Sequence, residues 1–260
     1  MEKDIRLKEN ERIDDLEYEG LKIIQNKDGF CFGIDSILLS DFAKGIKKGA
    51  KVLDLGTGTG IIATLLCGKT ELSEIIGIEV QKEVAEMAKR SIQLNHLESK
   101  FRIIQDNIVN LNNYFEKNTF DVIVTNPPYK KLATGVQNQD TKKLISRHEI
   151  EANIEDFIKI SRDMLKDKGE FYIVYRPERL VDLLSIMRKY KIEPKKIRFV
   201  YSNVHAVSKL VLVQGVKNAR PFLKLEENLY IYDEKGNYTD EILKIYNRES
   251  MHNEIKDFDE

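Results

Sequence analysis

The sequence predicts an α/β protein: a mostly parallel seven-stranded sheet with helices on both faces, finished by an antiparallel C-terminal hairpin. Three observations predict it. From Lys51 onward, short apolar runs alternate with segments of helical periodicity, the pattern of a parallel sheet built from strand–helix–strand units. A glycine-rich turn follows the first of those runs directly. Near the end, the β-rich runs 195–201 and 208–215 are joined by a link too short for a crossover helix, so they pair as a hairpin.

In chain order, residues 12–33 read as short strands with turns, notably Asn26-Lys27-Asp28-Gly29 before Phe30. Residues 34–44 read as a helix, because Ile37, Leu38 and Phe42 recur at helical spacing and Gly45 can stop it. Residues 51–55 form a buried strand, 59–67 a helix ended by Gly68, 75–79 the next strand and 82–95 the next helix. Strands follow at 101–105 and 121–125. A helix over 150–165 carries Ile154, Phe157, Ile158 and Leu165 on one side. Gly169 introduces a strand over 170–175, and 179–190 is a helix. Residues 227–232 and 239–246 read as a strand-and-helix extension with no legible role. One domain is expected, with an N-terminal segment 1–50, a core 51–217 and an extension 218–260 whose polar end frays from about Asn247.

Composition excludes several classes. The 42 Lys and Arg nearly cancel the 43 Asp and Glu, so any basic surface is local. The N-terminus has no signal-peptide core, and the longest strong apolar run, 61–67, is too short to span a bilayer. Cys31 and Cys67 fit neither a disulfide framework nor a zinc pattern, which suits a reduced cytoplasm. His96, His148, His205 and His252 are scattered, so no metal is expected.

The chemistry concentrates at successive strand ends, where doubly wound sheets bind ligands. Gly56, Gly58 and Gly60 follow the first core strand as Gly-x-Gly-x-Gly, letting the backbone turn sharply and approach a ligand. Asp54 precedes them; its carboxylate would oppose a pyrophosphate but suits an ammonium or sulfonium. Glu79 ends the second strand, where a carboxylate can accept from both ribose hydroxyls. Asp106 and Asn107 follow the third, in reach of an adenine amine. Any one of these is also an ordinary turn or helix cap. The ordered set outlines an adenosine with a cationic tail, S-adenosylmethionine.

The fourth strand ends in Asn126-Pro127-Pro128-Tyr129. Two prolines stiffen the turn and remove N–H donors, leaving carbonyls as acceptors. A conjugated amine or amide is a weak nucleophile. Accepting its two N–H groups, on the Asn126 side chain and the Pro127 backbone oxygen, favours sp³ character and aims the lone pair. Tyr129 can stack on the planar group. No strong base is needed, because the proton leaves a cationic product after transfer.

The chain resembles the bacterial tRNA1(Val) (adenine(37)-N6)-methyltransferase family, which has the Rossmann-like class I methyltransferase fold. The likeness rests on Phe30 to Leu39, the glycine turn, Asn126 to Tyr129, and Arg147-His148-Glu149, and covers nearly the whole chain. It implies S-adenosylmethionine as donor and, as acceptor, the adenine beside a tRNA anticodon. It implies that Gly33, Asp35, Asp54, Gly56, Thr57, Gly58, Gly60, Glu79, Asp106, Asn107 and Asn126 hold the cofactor, with Asn126, Pro127, Pro128 and Tyr129 catalytic. Lys130, Lys131, Arg147 and His148, in a long loop after the turn, are the candidate tRNA contacts, with Arg176 and Arg179 on the same rim. A monomer is expected. Two other acceptors share such a turn. Protein-glutamine methyltransferases usually carry a helical domain before the glycines, where this chain has only about fifty residues, partly β. DNA adenine methyltransferases usually need a target-recognition domain for which there is little room.

Overall fold

The computed structural model describes residues 6–27, 33–128 and 153–248. β1 (Glu11–Asp15) and β2 (Lys22–Asn26) form an antiparallel hairpin. It is followed by α1 (Ile34–Phe42), β3 (Lys51–Leu55), α2 (Ile61–Lys69), β4 (Glu74–Glu79), α3 (Lys82–Leu94), β5 (Phe101–Gln105) and β6 (Phe120–Thr125). After the undescribed stretch come α4 (Ile154–Met164), β7 (Leu165–Tyr175), α5 (Leu180–Lys189), β8 (Ile192–Tyr201), β9 (Ser208–Lys217), β10 (Lys224–Leu225), β11 (Leu229–Tyr230) and α6 (Asp240–Ile245).

The main sheet runs β10-β8-β9-β7-β6-β3-β4-β5, with β11 also on β8. It is parallel except for β9, which is antiparallel to both β7 and β8. Alternate residues of each strand feed opposite cores. Val52, Val122 and Val124 pack beneath α1, α2 and α6, while Leu53, Leu55 and Ile123 pack against α4 and α5. Helix α2 is apolar nearly all round, with Ile61 through Cys67 buried between the sheet and α1. Helix α4 begins at a capping box in which Asn153 accepts from the Asp156 N–H and Asp156 from the Asn153 N–H.

The structure departs from the sequence reading at four places. The sheet has nine strands, not seven, among the described residues. The two extra strands lie along the outer edge of β8 and satisfy backbone groups that an open edge would expose; β11 falls within the strand read over 227–232, whose place in the sheet the sequence did not give, while the two-residue β10 carries no periodicity to read. Gly68 does not end α2 but lies inside it, because a side chain there would meet Leu21 Cδ1 at 2.9 Å and the Tyr18 ring at 3.3 Å. Gly169 does not begin β7. Leu165 already pairs with Phe120 and Glu170 with Val122, so residues 166–169 bulge out, and Gly169 is held close to the Asp121 carbonyl. Leu165 belongs to β7 rather than to α4.

The terminal segments act as covers. The β1–β2 hairpin lies on α3: the Ile24 N–H donates to Ser91 Oγ at 2.9 Å, and Arg90 grips Glu11 through two 2.6 Å bonds. Residues after β9 climb the outer edge of β8 and return as α6 onto α1, and Lys69 Nζ at the end of α2 donates to the Ile245 carbonyl at 2.9 Å.

Candidate active site

β3 pairs with both β4 and β6, so strand order reverses at β3 and a crevice opens at its carboxyl end. Register sets Leu55 beside Thr125, which brings the glycine turn and Asn126 to adjacent strand ends. The Thr125 hydroxyl donates to the Leu55 carbonyl at 2.8 Å and ties the two ends together.

Gly56, Gly58 and Gly60 all have positive φ, and Gly60 caps α2. At Gly58 an added Cβ would meet nothing within 4 Å, so the backbone there faces open space. Thr57 Oγ1 donates to Asp54 Oδ2 at 2.6 Å, and the Gly58 N–H donates to Glu79 Oε2 at 3.1 Å. Glu79 Oε1 accepts from the Gln81 N–H at 2.9 Å. Asp54 is fully buried, and its Oδ1 has no hydrogen-bond partner. Burial, opposed by Thr57 and reinforced by the Glu79 charge, pushes its carboxyl up to about 7. Burial also raises Glu79.

Asp106 follows β5 and is pinned by Asn110 Nδ2, the Asn107 N–H and the Tyr114 hydroxyl. Those donors, Asn110 first, hold its carboxyl below the usual range. Three bonds leave capacity on a group with about four acceptor positions. Asn107 caps the 3₁₀ turn that follows, accepting from the Val109 N–H.

Asn126 is half-buried, Pro127 buried and Pro128 exposed. The Asn126 Nδ2 donates to Ser36 Oγ at 3.3 Å. Ser36 sits in the first turn of α1 beside Asp35, which accepts from the Ser36 N–H at 3.0 Å. Gly33 caps that helix, and a Cβ on it would stand 2.7 Å from Asp35 Oδ1. The structure therefore joins Asp54, Thr57, Gly58 and Glu79 into one hydrogen-bonded cradle and links Asn126 to α1. Asp106 and Asn107 stand two strands away, held by their own cluster. Tyr129, Lys130, Lys131, Arg147 and His148 lie outside the described residues. The sequence reading missed Ser36, Gln81, Asn110 and Tyr114. Ser36 was legible only as the neighbour of Asp35; its partner is 90 residues away.

The donor set suits a cationic nucleoside. A buried carboxylate oxygen without a partner, an open backbone at Gly58 and acids at the carboxyl ends of three neighbouring strands can hold an ammonium, a ribose and an adenine in turn. Among the described residues no His, Cys, Asp and Glu group is arranged to hold a metal, and no helix is long and apolar enough to cross a membrane.

The methyltransferase small domain model matches residues 33–191, more than half of the sequence. The chain belongs to that family. It is a methyltransferase of the Rossmann-like class I fold, and its methyl donor is S-adenosylmethionine. It is similar to a Parabacteroides distasonis protein named tRNA1(Val) (adenine(37)-N6)-methyltransferase, with 25% identity across 88% of this methyltransferase and 94% of the relative. A Porphyromonas gingivalis protein of the same name is 26% identical across 82% and 86%. Solved structures share the fold. An Agrobacterium tumefaciens protein titled a predicted O-methyltransferase aligns with TM-score 0.66 and 16% identity, over 82% of this methyltransferase and 95% of that chain. A T. thermophilus 16S rRNA methyltransferase, solved with AdoMet and guanosine, aligns with TM-score 0.57 and 17% identity over 82% and 52%.

Proposed function

We propose that this methyltransferase transfers a methyl group to N6 of adenine in tRNA, at adenosine 37 of tRNA(Val), in the cytoplasm. The observation that carries the reading is the adjacency of Asn126 to the glycine turn across the β3–β6 pair. The names of the curated relatives, similar over most of their length, support the acceptor.

When bound, S-adenosylmethionine supplies an electrophilic methyl on a sulfonium. The chain supplies the rest. Asp54 and Glu79 present carboxylates to the amino-acid and ribose ends, and the Gly58 backbone leaves room between them. Gly33, Asp35 and Thr57 line the cofactor side, with Asp106 and Asn107 at the adenine end. The Asn126 side-chain oxygen and the Pro127 carbonyl accept the two N–H groups of the exocyclic amine. That holds its lone pair toward the methyl and stabilises the ammonium forming there. Tyr129 stacks on the base, and Lys130, Lys131, Arg147 and His148 meet the RNA. The proton leaves after transfer, when the nitrogen is cationic and acidic.

The test is methyl transfer from labelled S-adenosylmethionine to unmodified total tRNA, followed by nucleoside analysis. Labelled N6-methyladenosine, lost in Asn126→Ala while cofactor binding persists, is the expected result. Label in a protein glutamine instead of RNA overturns it.

A further inference from the structure

The strand ends around the acceptor turn are not level. Thr125 of β6 pairs with Ile173 of β7, which pairs with Val213 of β9, which pairs with Ile197 of β8. β6 stops at Thr125, yet β8 continues to Tyr201 and β9 has already begun at Ser208. At about 3.3 Å per residue the β8–β9 hairpin rises roughly 13 Å above the level of Thr125 before it turns. Strands about 4.8 Å apart put β9 roughly 10 Å to the side of β6. The hairpin is a wall beside Asn126.

This wall is braced from behind. The Ile231 N–H donates to the Tyr201 carbonyl at 2.9 Å and the Tyr232 N–H to the Ser202 carbonyl at 2.8 Å, while the Tyr201 and Tyr230 rings lie 5.4 Å apart. At its base Arg176, just past β7, donates to the Lys209 carbonyl at 3.3 Å. The tip nonetheless presents apolar groups to water: Val207 is 80% and Val204 53% exposed. From Asn203 to Lys209 there is no acid, and His205 and Lys209 are exposed. Acids lie outside this stretch: Glu178 and Glu234 are exposed, Asp182 is occupied by Arg179 at 2.6 Å, and Asp233, next to the Tyr232 that bonds Ser202, accepts from the Lys235 and Asn237 N–H groups at 2.8 and 2.9 Å.

A rigid, acid-free tip with bare valines, one turn from an amine-accepting site, fits unstacked bases and their phosphates. We propose that the β8–β9 hairpin is an RNA contact: Val204 and Val207 pack against a base flanking the target, and Lys209 and Arg176 meet the adjoining phosphates. The inference rests on the RNA reading above and extends it to a surface outside the turn itself. Exposed valines cost little to replace, so the fold tolerates the test.

Unmodified tRNA is titrated against the full-length wild type, Val204→Ser/Val207→Ser, Lys209→Gln, and Leu225→Ser as an exposed control on the far edge. A photo-crosslinking residue at position 207 is tested in parallel. The double variant is expected to raise KM for tRNA at least tenfold, with cofactor affinity within twofold of wild type. Lys209→Gln should reduce the salt slope of tRNA binding by about one, Leu225→Ser should change nothing, and position 207 should crosslink to tRNA. A wild type that methylates tRNA while the double variant keeps its KM and position 207 yields no RNA crosslink overturns the hairpin contact and leaves the reaction standing. A wild type that leaves all tRNA unlabelled overturns both.

Discussion

Asn126 and Ser36 are joined side chain to side chain, the amide Nδ2 donating to the hydroxyl at 3.3 Å. One end of the Asn126 amide is thereby engaged by α1, which orients the carbonyl end as an acceptor. A neutral hydrogen bond of this kind contributes about 1 kcal/mol, which as a barrier term is roughly five- to tenfold in rate. Ser36→Ala should lower kcat by that factor and leave KM for the cofactor unchanged, with Ser36→Thr recovering most of the loss. Single-turnover kinetics measure it. An unchanged kcat in Ser36→Ala would show that the turn orients Asn126 without help.

Asp54 makes the apo protein and cofactor binding respond to pH in opposite directions. Its carboxyl is raised to about 7, chiefly by burial, against about 3.9 in an unfolded chain. The folded state therefore holds the extra proton between those values. Stability from this group is present below about pH 4 and is lost as pH rises through 7. A cationic ligand favours the ionised form, so S-adenosylmethionine affinity should rise with pH through about 7, with protons released. Calorimetry in buffers of different ionisation heat reads that release. Comparison with Asp54→Asn isolates the carboxylate, and equal pH dependence in the two proteins would exclude it.

Gly58 combines a φ of +59° with open space where a side chain would stand. Gly58→Ala carries left-handed strain of about 1–2 kcal/mol, a Tm decrease of a few degrees in a chain of this size. Its methyl also enters the space above the turn. The expected result is a folded protein with cofactor affinity down at least tenfold. Full affinity in a folded Gly58→Ala would mean that the ligand does not approach this backbone.

Glu11 and Arg90 dock the N-terminal hairpin on α3. The Arg90 guanidinium holds the Glu11 carboxyl below its ordinary range, so the pair stabilises at neutral pH and fades as pH falls through that lowered value. Arg90→Met should cost about 2 kcal/mol at pH 7, the scale of hydrogen bonds to a charged group. It should cost less near pH 3. Urea denaturation at the two pH values tests the difference. An equal loss at both would assign the effect to packing of the arginine stem.

Strand and helix order was legible because burial on both faces writes continuous apolar runs, and because the glycine turn and the Asn126 turn each directly follow a strand. β3 and β5 occupy the ranges read from the sequence. Asp54, Glu79 and Asp106 stand at the ends of three neighbouring strands, where the sequence reading placed them. Gly68 misled for a physical reason: a glycine required by Leu21 and Tyr18 across the fold looks the same in sequence as one that stops a helix.

The sequence by itself determined the fold class and which residue types stand in the turns at the carboxyl ends of the strands, since local periodicity and turn chemistry are properties of neighbouring residues. Tertiary structure decided what depends on distant segments meeting. Strand order set Leu55 beside Thr125, Ser36 became the partner of Asn126, and the edge of β8 was covered by two-residue strands. It also decided the charge state open to Asp54. A carboxyl's pKa follows from the water it has lost, and only the packed sheet removes that water.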